Sequence, residues 1–269
     1  MEAAQSTDPR PMSGRTWDRY LETWQVEHNA DQKYVWPGDE WGTPESWSDL
    51  YTNLFVNAGS ANWRRAVEIG PGSGKYTERL LRGSQATVRA YDVSPEFMRV
   101  CERRCAEWID AGRLSLHPIE GKSPSEMLDD LLSAGLLRQV DAFYSIDAMV
   151  HVDLQYLVVY LMVAALCLRE GGKLILTVSN AMSDEGFDKL LHDVAWTYPQ
   201  QADPYGSGKF EWLSPDLVRS VLSRLGFDVW MPSGEGRDTW LIATLVDLTH
   251  AGELEARLRS EPAPHRHLA

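Results

Sequence analysis

Cysteine, cationic charge and long apolar runs are what this chain has least of. Three cysteines in 269 residues cannot build a disulfide framework. Cys101 and Cys105 stand four apart on a predicted helix and Cys167 falls in another apolar helix, which points to packing. Lys and Arg number 26 against 39 Asp and Glu, giving a net charge of −13 and a pI near 5.0. That balance argues against a nucleic-acid partner, which is held mostly by Lys and Arg. No stretch approaches the ~18 apolar residues of a membrane span. The longest apolar run, Leu154–Leu168, is broken by Gln155 and fits a buried helix. Residues 1–15 are polar and lack the apolar centre of a signal peptide. The expectation is a cytoplasmic protein with neither membrane nor nucleic acid as partner, monomeric or homodimeric.

Hydrophobic residues make up 43% of the chain, enough for one large core and at most a small addition. Within it, the apolar run Ala66–Ile69 ends in Gly70-Pro71-Gly72-Ser73-Gly74 and a helical pattern follows at once. Glycines at such a strand-to-helix turn allow a sharp bend and let a ligand reach main-chain N–H groups that a Cβ would shield. Upstream, residues 16–63 hold six of the eleven tryptophans: Trp17, Trp24, Trp36, Trp41, Trp47 and Trp63. Acids and turn residues, Asp39 among them, are interspersed. Either these aromatics pack helices onto the main domain, or they form a lid that presents Trp36, Asp39 and Trp41 to a substrate.

From residue 65 strands and helices alternate. Strands are expected at 65–69, 87–92, 113–118, 140–146 and 173–178, with helices near 75–82, 95–110, 124–135 and 153–168. Ser94-Pro95 supplies a cap and a first-turn proline, and Gly171-Gly172 is expected to close the 153–168 helix. Short connections of this kind imply a parallel sheet covered on both faces. The alternation then breaks. Helices near 184–196 and 214–224 precede strands 227–231 and 239–246, whose connecting loop is too short for a crossover, so the two must pair antiparallel. The division expected is a flexible tail (1–15), a Trp-rich cap (16–63), the α/β domain (64–248) and a C-terminal tail (249–269).

The glycines alone do not separate a dinucleotide site from other nucleotide sites. Three features do. Lys75 occupies the place where the dinucleotide fingerprint wants a third small residue. Glu68, just before the turn, would repel a pyrophosphate but suits a cationic ligand. The terminal hairpin makes the last strand antiparallel. With Asp92 at the end of the second strand, Ser145-Ile146-Asp147 after the fourth and Gly171-Gly172-Lys173-Leu174 before the fifth, residues 65–246 resemble the class I S-adenosylmethionine (SAM)-dependent methyltransferases of the small-molecule, natural-product type. The resemblance implies a Rossmann-like seven-stranded α/β sheet with an antiparallel last strand, here with an N-terminal helical cap, and SAM as cofactor, leaving as S-adenosylhomocysteine.

Carried over, the resemblance gives Gly70, Pro71, Gly72 and Gly74 the methionine part of SAM. Glu68 would orient its amino end or the turn itself. Asp92 would accept both ribose hydroxyls, which a carboxylate at a strand end can do bidentately. Val93 and Phe97 would line the adenine, with Glu120 and Gly121 near its amine, and Ser145 and Ile146 would border the sulfonium.

Methyl transfer to a hydroxyl needs alignment and a base. His151, four residues past Asp147 and beyond a strand end, is the candidate base, with Asp147 or Asp153 to orient it. The alternative for His151 is a cap on the helix starting near Asp153; for Asp147 it is a solvated loop acid. Tyr205 and Phe210, in the insertion after the fifth strand, are candidate substrate walls. No acidic cluster at metal-ligand spacing stands out, and no metal is assigned. The expected function is O-methylation of a small molecule. N- or C-methylation of an amine or an electron-rich ring is the alternative, as is a SAM-binding protein without transfer activity.

Overall fold

The computed structural model describes residues 12–119, 125–197, 210–233 and 236–259. Helix α1 (Met12–Glu27), α2 (Pro44–Tyr51) and a wide helical turn (Thr52–Val56) lead into strand β1 (Arg65–Ile69). Then follow α3 (Lys75–Gly83), β2 (Thr87–Asp92), α4 (Pro95–Arg104), α5 (Ala106–Asp110), β3 (Leu114–Pro118) and α6 (Ser125–Ser133). The second half runs β4 (Val140–Ser145), α7 (Leu154–Cys167), β5 (Leu168–Ser179), α8 (Asp184–Thr197), α9 (Pro215–Arg224), β6 (Phe227–Ser233), β7 (Asp238–Leu245) and α10 (Ala251–Arg259). The sheet has seven strands in the order β3-β2-β1-β4-β5-β7-β6, with β7 antiparallel to both β5 and β6 and the first five parallel. This is the expected architecture.

Helices begin where side chains satisfy their free N–H groups. Ser94 accepts from Phe97 N–H at 3.0 Å, Asp153 from Tyr156 N–H at 3.0 Å and Ser214 from Leu217 N–H at 3.2 Å. Thr43 and Ser46 form a reciprocal capping box on α2. Asp153 is therefore engaged as a helix cap.

One face of the sheet is covered by α6, α7, α9 and α10, whose apolar sides meet Val67, Phe143, Leu174 and Leu241. The other is covered by α2, the Thr52–Val56 turn, α3, α4 and α5, around Phe55, Tyr76, Leu80, Trp108 and Tyr144. A third, smaller cluster joins Tyr20 and Trp24 of α1 to Phe97 of α4. All three cysteines are buried and free. Among the described residues no helix is long and apolar enough to cross a membrane.

Two local expectations are corrected. The 95–110 helix is interrupted at Cys105, whose φ and ψ of −108° and 20° leave the helical region. Gly171-Gly172 does not close α7; β5 already begins at Leu168, which pairs with Val140, and the ladder resumes at Ala142–Lys173 across an irregularity. The Arg169–Asp141 ion pair at 2.7 Å fastens this early part of the strand.

Gly70 shows how tightly β1 and β4 are joined. Its φ is +67°, and a Cβ there would fall 2.4 Å from the Ala148 Cβ. Left-handed strain alone costs a non-glycine residue about 1–3 kcal/mol. Gly70→Ala is therefore expected to lower the melting temperature by at least several °C. A melting point within a degree of wild type would show that the turn yields freely.

Candidate cofactor and acceptor site

The sheet order reverses between β1 and β4, and the carboxyl ends of the strands at such a reversal are where open α/β sheets have their ligand opening. Gly70, Gly72 and Gly74 all have positive φ. Gly74 N–H donates to Pro71 O at 2.8 Å, closing the turn, and Gly70 N–H donates to Tyr91 O at 2.8 Å. A Cβ at Gly74 would meet the sulfurs of Cys101 and Cys105 at 2.9 Å, whereas one at Gly72 would have only Phe97 nearby, at 3.9 Å. The main chain is therefore sealed on the protein side at Gly74 and open at Gly72.

Asp92 ends β2 facing this opening. One carboxylate oxygen accepts Ser94 N–H at 2.8 Å and the other Gly72 N–H at 3.3 Å. Burial raises its pKa to about 6, against those hydrogen bonds and with help from the Asp18 charge. An ionised carboxylate offers about four acceptor positions, more than the Ser94, Gly72 and Val93 N–H groups use, so acceptor capacity remains for a ribose hydroxyl. Glu68 points away from the opening. It is buried, accepts Thr77 Oγ1–H at 2.6 Å and Tyr144 O–H at 2.9 Å, and so ties β1 to α3 and β4. Of its two expected roles, holding the turn is the one its contacts serve.

Burial raises Glu68 to about 7, far above its ordinary 4.5. The folded state thus binds a proton at Glu68 that the unfolded chain has released, between about pH 4.5 and 7. Its contribution to stability is full below that window and lost as pH rises through it. Glu68→Gln should flatten this part of the melting-temperature profile; parallel wild-type and variant profiles would refute it.

Ser145 Oγ donates to Ile69 O at 2.8 Å and is thereby occupied as a stitch between β4 and β1, while Ile146 is buried in the core. Val93 lies beneath α1: a Cβ on Gly14 would come within 2.5 Å of its carbonyl oxygen. Phe97 is buried under Trp17 and Tyr20, with ring centroids 6.1 and 6.0 Å away, and also faces Gly72. Glu120, Gly121 and Tyr205 lie outside the described residues.

His151 sits in a short turn, Met149–His151, just beyond β4. Its ring is set edge-on between Trp17, at 5.0 Å, and Phe210, at 5.3 Å. Phe210 is in turn held by Asp193, which accepts Phe210 N–H and Trp212 Nε1–H at 3.1 Å each. Asp147 adopts φ +60° and its N–H donates to Thr177 Oγ1 at 2.7 Å. The residue is exposed at the strand end. Desolvation and the Asp238 charge raise it to about 6, opposed by Lys75, Arg237 and Thr177. His151 and Asp147 thus flank the same strand end, one toward aromatic walls and one toward charged ones.

The N-terminal segment forms the roof. Lys75 Nζ donates to Gly38 O at 2.7 Å and Trp41 O at 3.2 Å and lies 4.3 Å from the Trp47 ring centroid. Burial lowers its pKa to about 8. Asp39 pairs with Arg104 at 2.9 Å, and Arg104 also holds Glu78 at 2.7 Å. These mostly buried charges leave Asp39 a roof anchor. Glu40 accepts from Tyr20 O–H, from Trp24 Nε1 at 2.9 Å and from Gly38 N–H at 2.8 Å, tying the roof to α1. Trp41 packs against Trp17 and Tyr20 at 5.9 and 5.2 Å and remains 40% exposed. Trp36 contributes a turn, its carbonyl accepting Asp39 N–H at 3.1 Å. Lys75, Arg104 and Glu40 were not among the residues expected at the site. Only Lys75 carried a signal, as a long cation where a small residue is common. Among the described residues no three His, Cys, Asp or Glu side chains are arranged to hold a metal ion.

No protein-family model and no curated protein matches the sequence. Solved structures do match the fold. An O-methyltransferase family protein from Burkholderia thailandensis superposes with a TM-score of 0.55 at 16% identity, over 91% of this chain and 74% of that one. The magnesium protoporphyrin IX methyltransferase of Synechocystis, solved with bound S-adenosylhomocysteine, gives 0.57 at 14%, over 87% and 95%. Phosphoethanolamine N-methyltransferase 2 of Haemonchus contortus, solved in complex with SAM, gives 0.53 at 11%, over 84% and 60%. The chain has the Rossmann-like fold of SAM-dependent methyltransferases, as the sequence resemblance implied.

Proposed function

We propose that the protein is a SAM-dependent methyltransferase that methylates a hydroxyl of a small-molecule acceptor, with His151 as general base. The observation that carries this reading is the pairing of an open main chain at Gly72 with the buried Asp92 carboxylate, which keeps acceptor capacity beyond its backbone N–H donors. The residues fit SAM: Asp92 for the ribose, the Gly70–Gly74 turn for the methionine portion, and Val93 and Phe97 beside the base. Bound there, SAM supplies an electrophilic methyl group.

What the chain itself contributes is position, dryness and a proton acceptor. The roof of residues 36–42, anchored by Lys75 and Arg104, excludes water. Trp17 and Phe210 fix the plane of the His151 imidazole, and a ring nitrogen of His151 takes the hydroxyl proton. The aromatic lining of Trp17, Trp41 and Phe210 suits an acceptor with a flat or apolar body, such as a natural product. The cap 16–63 acts with the α/β domain as one unit, in the cytoplasm, as monomer or homodimer. Incubation with methyl-labelled SAM and a panel of hydroxylated metabolites should yield S-adenosylhomocysteine and a labelled ether. Tight SAM binding without any S-adenosylhomocysteine would overturn methyl transfer, and a labelled amine would overturn the hydroxyl.

A further inference from the structure

Three polar side chains at the recess have no part in the reading above. β7 opens with Asp238, opposite Ser179 of β5, and two residues on Trp240 lies opposite Thr177. Directly opposed residues share a face, and Trp240 packs with the cluster that contains Tyr76. Asp238 therefore leaves the sheet on the Tyr76 side, near Asp147, whose pKa its charge raises. Its own pKa is raised, mainly by burial. Two carboxylates thus face one recess in the fold.

Tyr76 is the independent observation. It is 7% exposed, its ring stacks on Phe55 at 6.3 Å, and both Asp147 and Asp238 act on its hydroxyl. That hydroxyl has no hydrogen-bond partner among the described residues, keeps some accessible surface, and lies within reach of both carboxylate charges. A buried phenol of this kind usually has a partner.

The cations nearby do not already fill this role. Lys75 is held by two carbonyls and the Trp47 ring, and its charge acts on Asp147 without an ion pair. Arg237 is more than half exposed, lies over the Phe210 ring at 5.6 Å, and approaches Asp238 only to 4.0 Å. Among the described residues, Glu185, another acid, also acts on Asp238. Asp238 Oδ2 does accept Trp240 Nε1–H at 2.9 Å, which fixes the carboxylate, while Oδ1 has Arg237 Nε no nearer than 4.0 Å.

We propose that Asp147 and Asp238, with the Tyr76 hydroxyl beside them, seat a protonated amine, so that the acceptor is a hydroxylated amine anchored at its cationic end. The assignment of the other end to His151 rests on the hydroxyl-methylation reading; the amine seat does not. A cation brought between two neighbouring carboxylates relieves their repulsion, and the adjoining aromatic rings add cation–π attraction.

The test uses the full-length protein and two probes of equal size, benzylammonium chloride and benzyl alcohol, followed by calorimetry and tryptophan fluorescence. Benzylammonium should bind at least tenfold more tightly than the alcohol. The difference should close in Asp238→Asn and in Asp147→Asn, where asparagine tolerates the φ of +60°. Tyr76→Phe should narrow it severalfold. Benzylammonium binding should also strengthen from pH 5 to 7 as Asp147, raised to about 6, ionises, with Lys75 and Arg237 still cationic and Asp238, Glu185 and Tyr76 around it. Equal affinity for the two probes, no binding of benzylammonium, or a preference that survives in both Asn variants overturns the proposal. A parallel S-adenosylhomocysteine titration separates the readings, since its failure counts against the cofactor site and leaves the amine result standing.

Discussion

Asp92→Ala is expected to weaken SAM binding by more than tenfold in a calorimetric titration, a loss above about 1.4 kcal/mol. Two effects add in the same direction. The carboxylate positions that remain for the ribose diol disappear, and the Gly72 and Ser94 N–H groups lose their acceptor, so the turn that faces the cofactor loosens. Asp92→Asn does not restore affinity, because whichever oxygen becomes an amide nitrogen then faces an N–H donor. Since Asp92 ionises near about 6, SAM affinity in the wild type also falls as pH drops below that value. A variant with wild-type melting temperature and unchanged affinity would sink the ribose assignment.

His151→Ala lowers kcat by roughly 10² or more while SAM affinity stays near normal. The expectation is specific to kcat because His151 lies beyond β4, among Trp17 and Phe210, while Asp92 and Gly72 lie at the β1–β2 side of the crevice. His151→Phe serves as the control, since it keeps an aromatic ring between the same two neighbours and removes the proton acceptor. If the phenylalanine variant turns over like wild type, His151 is a wall. A rise in KM with kcat intact would lead to the same conclusion.

The sheet was legible because its signals are local. Apolar runs of strand length, Ser-Pro at helix starts and a loop too short for a crossover each follow from nearby residues, and together they force the order with an antiparallel β7. The glycine turn after β1 and Asp92 at the end of β2 were legible as local structure for the same reason: their spacing sets the turn and the strand end. The roof was not. Lys75 reaches Gly38 and Trp41 across more than thirty residues, and Arg104 reaches Asp39 across sixty-five. Nothing in the composition of residues 36–42 says which carbonyl will meet which ammonium. Asp39, read as a substrate contact from its company of tryptophans, is held instead by Arg104, because a half-buried carboxylate needs a cation wherever the chain can supply one. Asp238 and Tyr76 were equally hidden, since their meeting with Asp147 depends on the strand register Ser179–Asp238 and the facing of α3.

Helix α1 does more than shelter the aromatic cluster. Gly14 rests against the Val93 carbonyl and Asp18 accepts the Ser94 hydroxyl at 2.7 Å, at the strand end where the nucleoside belongs. On the proposed reading, a departing S-adenosylhomocysteine would have to lift that helix before it could leave, and the next SAM would wait for the same motion. Turnover is then paced by an element that carries no reacting group. The kinetic trace of such an arrangement is a burst of methylated product followed by a slower steady state, with a rate that falls as solvent viscosity rises.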